Sequence, residues 1–374
     1  MSSLPPPPPL RQPVTLSSQP HSQPVTLSSQ PHSQPTSTRP RIFVEMCCGS
    51  AAMSLSLLGG RGCKPPISYM GSKRGYATTI LTILGLHPGQ GADRVLLVDA
   101  GPWGLVWQGL ADRETGMAIA DRIASWQHDE PRELWDRLKA EASPLGDARP
   151  EAAEAATAWL RDTPPAVGAV QPDALASHLL RAGWAYERGN VRTGFAGPGM
   201  GGRPADLIAA EVGRVTTTIS AWLGASALGF NGKPMEAGFG GKANMGEVAA
   251  SSGRASDAVA GRIFAAQADV RLVRPPDDCS GVVMYIDPPY QGTTSYKADL
   301  PRADVMAVAA QWAAAGALVC ISEAEPVPLP GWAHVQIDHG RRGTKRTFSV
   351  QQDEWLTISR PPAVAAPPKQ AALF

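Results

Sequence analysis

Short apolar runs punctuate the chain, and each stops abruptly at a polar or turn-forming residue. Ile42-Phe43-Val44, Val95-Leu96-Leu97-Val98, Val282-Val283-Met284-Tyr285-Ile286 and Leu318-Val319-Cys320-Ile321 show no alternation of polar and apolar positions. Runs of this length without alternation predict strands buried on both faces, as in a parallel sheet. The predicted strands are 41–45, 94–99, 270–273, 282–286 and 317–323, with Val335-Gln336-Ile337 and Glu354–Ser359 as a closing antiparallel pair. Helical patterns at Ser54–Leu58, Tyr76–Leu84 and Arg302–Ala315 fall between them. Strands alternating with helices predict an α/β fold with a doubly wound, Rossmann-like sheet.

The pattern changes between Ala111 and Val259. Helical stretches at Met117–Trp126, Pro131–Ala142, Glu151–Arg161 and Ala174–Tyr186 alternate there with glycine-rich loops at Gly194–Gly202 and Gly238–Gly246. That is too long for a loop within a compact sheet, so 111–259 reads as an inserted, mainly helical domain. The sheet domain is then split into 41–110 and 260–360. Residues 1–40 are low in complexity, with Pro5–Pro9 ahead of two copies of Gln-Pro-Val-Thr-Leu-Ser-Ser-Gln-Pro-His-Ser, from Gln12 and Gln23. Such a tract buries too little apolar surface to offset its chain entropy and reads as a disordered tail. Residues 361–374 read as a flexible C-terminal tail.

Composition narrows the class only a little. The formal charge is +1 over 374 residues, which neither favours nor excludes nucleic acid, since a local basic face is what matters. No apolar run approaches membrane-spanning length, and the proline-rich start is not a signal peptide. Five cysteines without Cys-x-x-Cys spacing point to reduced thiols in a cytoplasmic protein, with neither a disulfide framework nor a metal site.

The chemistry concentrates where the fourth of these strands ends, at Asp287-Pro288-Pro289-Tyr290. The prolines donate no N–H, the aspartate accepts only, and the tyrosine offers a flat ring. Together they suit a planar group bearing an exocyclic NH2: acceptors take its hydrogens while the ring stacks on its face. A nitrogen held in this way turns its lone pair toward an electrophilic carbon. Upstream, Glu45 ends a strand, and Met46-Cys47-Cys48-Gly49-Ser50-Ala51-Ala52 forms a small-residue turn before a helix. That arrangement aims backbone N–H groups and a helix N-terminus at one end of the sheet. Asp99 ends the second strand, at the spacing of an acid that accepts both ribose hydroxyls of a nucleoside cofactor.

These residues resemble the motifs of Dam-type DNA adenine-N6 methyltransferases. Asp287-Pro288-Pro289-Tyr290 is similar to that family's catalytic motif, and Phe43, Val44, Glu45, Gly49 and Ser50 match its cofactor loop. Met46, Cys47 and Ala51 depart from it, standing where the family has Pro, Phe and a second Gly. Tyr69-Met70-Gly71-Ser72-Lys73 is similar to the family's aromatic, Gly-Gly-Lys segment, which closes over the methionine part of the cofactor. In most relatives it precedes the cofactor loop, whereas here it follows. The resemblance implies a methyltransferase sheet, S-adenosyl-L-methionine as cofactor, and cofactor contacts from Glu45, Gly49, Ser50, Tyr69, Gly71, Lys73, Asp99 and Asp287. It implies methyl transfer to N6 of a flipped adenine in double-stranded DNA, and places target recognition in the inserted segment. Methylation of cytosine N4 or of RNA adenine, and a nucleic-acid-binding module with a decayed cofactor site, stand as alternatives. A nicotinamide-type Rossmann enzyme is disfavoured by the missing Gly-x-Gly-x-x-Gly.

DNA contacts are expected from Arg341, Arg342, Lys345 and Arg346, four positive charges in six residues, and from Arg188 and Arg192. In the same inserted region Arg181 and Arg203, with Trp184, Tyr186 and Phe195 between them, suit phosphates and unstacked bases. Gln370-Ala371-Ala372-Leu373-Phe374 resembles the peptides by which DNA-processing proteins dock on the bacterial sliding clamp, which makes that clamp a candidate partner.

Overall fold

The computed structural model describes residues 41–69, 71–142, 148, 150–161, 204–229, 238–241, 243–290, 300–341 and 352–360, with the side chains of 204–211, 338–341 and 352 excepted. Both tails lie outside these residues, as do the helix expected at Ala174–Tyr186 and the loop at Gly194–Gly202. All described residues belong to one compact unit. The fold is α/β, built on a seven-stranded mixed sheet, and is compatible with a Rossmann-like architecture.

The strands are β1 (Ile42–Met46), β2 (Arg94–Asp99), β3 (Ile263–Gln267), β4 (Val282–Ile286), β5 (Leu318–Glu323), β6 (Ala333–Arg341) and β7 (Gln352–Ile358). Their spatial order is β3-β2-β1-β4-β5-β7-β6. The first five run parallel, and β7 pairs antiparallel with both β5 and β6. The direction in which the chain steps along the sheet therefore reverses between β1 and β4. In open parallel sheets, ligands settle in the crevice outside the carboxyl ends of the strands at such a reversal.

Alternation of side chains sorts the strands into two apolar layers. Phe43, Val95, Leu97, Ile263, Ala265, Val283, Tyr285 and Cys320 join the cluster formed with α1 (Ala52–Gly59), α2 (Ala77–Ile83) and α3 (Pro102–Leu110). Ile42, Val44, Leu96, Val98, Phe264, Val282, Met284, Val319 and Ile321 pack on the opposite side. There they meet α6 (Pro150–Arg161) and α9 (Arg302–Ala314). Continuous apolar runs read as strands because both faces are buried.

Of the described helices in the 111–259 region, all but α6 extend the first layer. They are α4 (Arg113–Ala124), α5 (Pro131–Ala142), α7 (Pro204–Leu228) and α8 (Met245–Val259). Ile119, Ile123, Trp126, Leu138, Trp222 and Val259 share one cluster with Phe43 and Leu97 of the sheet. Local sequence starts two of these helices. The Asp112 side chain accepts the Thr115 N–H at the head of α4, and Asn244 accepts that of Glu247 at the head of α8.

One predicted strand is in the wrong place. Val270–Val273 forms a turn, in which the Asp269 carboxylate accepts the backbone N–H and guanidinium of Arg271. The strand is Ile263–Gln267, just upstream, paired with β2 from Val95↔Ile263 to Asp99↔Gln267. Ala265 and Ala266 weaken its propensity, yet α3 packs closely against this strand. A Cβ added to Gly104 on α3 would lie 2.5 Å from Gln267 Cα, 2.7 Å from the Asp99 carbonyl oxygen and 2.9 Å from that of Ala266. Helix and strand touch backbone to backbone there, which leaves no room for a side chain at residue 104.

That contact yields a test. Gly104→Ala meets backbone and not a yielding side chain, so it should destabilise the chain by about 1–3 kcal/mol, read as a lower denaturant midpoint. An unchanged midpoint would show that α3 can lift off β3 freely.

Candidate functional site

Register brings the sequence-predicted acids to one level. Met46 of β1 lies beside Val98 of β2 on one side and Ile286 of β4 on the other. Asp99 and Asp287 therefore project from the strand ends on either side of β1, flanking the turn that opens at Cys47. By strand parity Glu45, Asp99, Asp287, Ser322 and Glu354 all fall on the sheet face that carries α1 and α3.

The turn after β1 is held in an uncommon backbone shape. Cys47, Gly49 and Ala51 have φ of 52°, 44° and 49°, so two non-glycine residues occupy the left-handed region. That conformation costs roughly 1–3 kcal/mol per residue and persists only where surroundings impose it. Here three contacts impose it. Glu45 accepts the Met53 and Ser54 N–H groups at 3.3 and 2.8 Å, which caps α1. Asp99 accepts the Gly49 N–H at 2.8 Å and the Gly101 N–H at 2.8 Å. The buried Trp107 indole donates to the Gly49 carbonyl at 2.7 Å. A Cβ on Gly49 would meet nothing within 4 Å, so its outer side faces open space.

Glu45 thus points into the fold, 3% exposed, and serves the helix head. Burial pushes its carboxyl up to about 7, against the pull of the Ser54 and Met53 hydrogen bonds. Asp99 is half-buried, and burial raises its carboxyl too, opposed by the Gly49 and Gly101 amides. Each Asp99 oxygen retains acceptor capacity beyond the one amide it binds.

The Gly71-Ser72-Lys73 segment reaches the same edge despite its late position in the chain. Ser50 Oγ lies 2.7 Å from Ser72 Oγ, joining that segment to the β1 turn. Tyr69 packs edge-on against Trp103, with ring centroids 5.5 Å apart. Lys73 opens a short 3₁₀ turn, Lys73–Gly75, and its side chain is 6% exposed. Its ammonium lies 2.8 Å from Asp287 Oδ1, 3.8 Å from Glu354 Oε1 and 4.4 Å from the centroid of the Tyr290 ring.

Asp287 is half-buried at the mouth of this group. Burial pushes its carboxyl up to about 6; Lys73 opposes the rise and Glu354 adds to it. Pro288 is buried, while Pro289 and Tyr290 are half-buried. The Tyr290 hydroxyl donates to Glu354 at 2.6 Å and lies 3.5 Å from Ser322 Oγ, which in turn donates to the same carboxylate oxygen. Burial holds the Tyr290 phenol far above its ordinary range. Glu323, at the end of β5, is also pushed up to about 7 by burial.

The structure therefore gathers Gly49, Ser50, Gly71, Lys73, Asp99, Asp287 and Tyr290 at one sheet edge. Glu354 and Ser322 belong there too, although sequence reasoning treated them only as strand residues. A polar pair facing inward from β5 and β7, next to the strand that ends in Asp287, was the available signal. Of the expected DNA contacts, Arg341 ends β6 with its side chain undescribed. Arg342, Lys345, Arg346, Arg181, Arg188, Arg192 and Arg203 lie outside the described residues, as does Gln370–Phe374. Among the described residues no His, Cys, Asp or Glu cluster could hold a metal ion, all cysteines are free, and no helix is long and apolar enough to cross a membrane.

Comparison with protein-family models and with curated proteins returned no match.

The raised Glu45 carboxyl predicts a pH effect on stability. The folded state holds the Glu45 proton more tightly than the unfolded chain does, so this stabilisation is full below about pH 4.5 and is lost as pH rises through about 7. The unfolding midpoint of Glu45→Gln should depend less on pH across that window than the wild-type midpoint, followed by denaturant titration at successive pH values. Parallel curves would show that Glu45 is ionised in both states.

Proposed function

We propose that this chain is an S-adenosyl-L-methionine-dependent methyltransferase acting on the N6 amino group of adenine in DNA. In this reading the sheet is doubly wound, and the 111–259 segment inserted between β2 and β3 carries target recognition. The observation that carries it is the joint placement of Asp287-Pro288-Pro289-Tyr290 and the Gly49 turn on either side of the sheet's reversal point.

The donor set fits the cofactor. Gly49 leaves open space against its backbone, and Asp99 keeps an acceptor on each oxygen for a ribose hydroxyl. Gly49, Ser50, Tyr69, Gly71 and Asp99 would hold it, and it supplies an electrophilic methyl group. The chain's own residues supply position and electrostatics. Asp287 and the Pro288 carbonyl accept the two amino hydrogens, which directs the nitrogen lone pair outward. Tyr290 stacks on the base. The Lys73 ammonium, 2.8 Å from Asp287 and 4.4 Å from the Tyr290 ring, occupies the kind of place an N–H donor takes there. The amino group replaces it as partner of Asp287. A base paired within a duplex cannot reach this edge, so it is flipped out, at a cost of roughly a few kcal/mol. The Arg341–Arg346 loop and the basic residues of the 111–259 segment would supply phosphate contacts, and Gln370–Phe374 a tether to a sliding clamp.

The direct test exposes DNA to the chain with methyl-labelled S-adenosyl-L-methionine and analyses its nucleosides by mass spectrometry. Labelled N6-methyladenine is expected. Asp287→Ala should abolish it while cooperative unfolding and calorimetric cofactor binding persist, with a melting temperature lowered by the loss of the Lys73 partner. Wild-type turnover by that variant, or no labelled base at all with active cofactor, overturns the reading; labelled N4-methylcytosine would move it to the other amino base.

A pH profile adds an independent check. Asp287 works as the carboxylate, so the rate should fall as pH drops through about 6. Lys73 lowers that carboxyl, so Lys73→Met should move the acid limb to higher pH. A limb left in place would separate Lys73 from the acid it touches.

A further inference from the structure

One buried carboxylate at the site has no part in the chemistry above. Glu354 on β7 is 7% exposed, and its side chain meets Tyr290, Ser322 and Lys73 at the site. Its Oε1 accepts the Tyr290 hydroxyl at 2.6 Å and the Ser322 hydroxyl, and lies 3.8 Å from the Lys73 ammonium. Burying a carboxylate is costly unless such partners surround it. A hydrophobic residue would fill the same strand position without that cost, since Leu356 and Ile358 follow on the same face.

The consequence falls on Tyr290. It belongs to a loop segment after β4, and its backbone follows two prolines that donate no N–H. A hydrogen bond at the hydroxyl of a half-buried ring on such a segment limits its swing about the Cα–Cβ bond. The tie comes from β7, a central strand hydrogen-bonded on both sides, to β5 and β6. Ser322, projecting from β5 beside it, holds the same carboxylate oxygen and fixes where that oxygen lies.

We propose that Glu354 is a positioning residue. It fixes the far end of the Tyr290 ring through the phenol hydroxyl, and with Asp287 it places the Lys73 ammonium, so that a planar amino-bearing base stacks with its nitrogen at Asp287. The role rests on the methyltransferase reading. It adds that a strand on the far side of β5 helps set the position of the stacking ring.

Two measurements on the full chain test this. In the first, fluorotyrosine is incorporated, the Tyr290 fluorine resonance is assigned by its loss in Tyr290→Phe, and no DNA or cofactor is added. Glu354→Ala should shift and narrow that resonance, whereas Glu354→Gln, which keeps an acceptor oxygen, should largely preserve it. A resonance unmoved in Glu354→Ala overturns the proposal. In the second, methyl transfer to DNA is followed with labelled cofactor. Glu354→Ala should lower kcat by about 10- to 100-fold with little change in the cofactor KM, the usual scale for a misplaced reacting group. Tyr290→Phe should do the same, and the double variant should be no slower than either. Glu354→Gln should recover most of the rate. Multiplicative losses in the double variant, or full activity in Glu354→Ala, overturn it. Should the wild-type chain transfer no methyl, the methyltransferase reading falls, and the fluorine spectra still decide whether Glu354 holds the ring.

Discussion

The buried Lys73 ammonium is the contact on which the site depends. It comes from a short turn ahead of α2, and it meets acids from two strands that are not neighbours in the sheet, Asp287 after β4 and Glu354 on β7. The ammonium favours the Asp287 carboxylate against the rise that burial and the neighbouring Glu354 impose. Removing one partner of such a group typically costs 3–5 kcal/mol, unless a proton takes the missing charge. Asp287 is the group able to take it, since its carboxyl already stands at about 6. The same contact thus joins the elements at the sheet's carboxyl edge and lowers the carboxyl of the half-buried Asp287.

The β1 turn depends on a second set of constraints, and these explain why a poor match to a glycine-rich loop still makes the shape. Cys47 and Ala51 adopt the positive φ that glycine takes most readily. Their cost is offset by Glu45 at the head of α1, by Asp99 from the next strand and by the Trp107 indole. Trp107 is itself seated against Trp103, whose ring meets both Tyr69 and Trp222. A helix of the 111–259 region therefore supports, through one aromatic group, the turn and the Tyr69 segment alike.

Much of this was legible in the sequence because burial on both faces leaves a strong trace. β1, β2, β4 and β5 stand where the apolar runs end, and the closing antiparallel pair is present. β3 was not legible: Ala265 and Ala266 lower its apparent strand character, and its place in the sheet is set by pairing with β2 and by the close approach of α3 at Gly104. The Gly71-Ser72-Lys73 segment was legible as a motif, but its arrival beside Ser50 was not, because chain order says nothing of which loop folds back over an edge. Glu354 and Ser322 were hidden for a related reason. A single polar residue inside a strand pattern looks like an edge position until the register shows which face it takes and what lies across from it.

Glu45 makes the converse point about reading residues by motif alone. It stands at the strand end where an acid in a cofactor loop is expected, yet both of its oxygens are committed to the amides of Met53 and Ser54. Those amides have no helical partner of their own, and Ala51 at the helix cap offers no side-chain acceptor. A carboxylate one strand residue short of the turn is the nearest group able to fill that need, and α1 then begins where the turn requires it. The acid of the motif shapes the cradle from behind, while Asp99, reached from the neighbouring strand, presents its carboxylate at the open side.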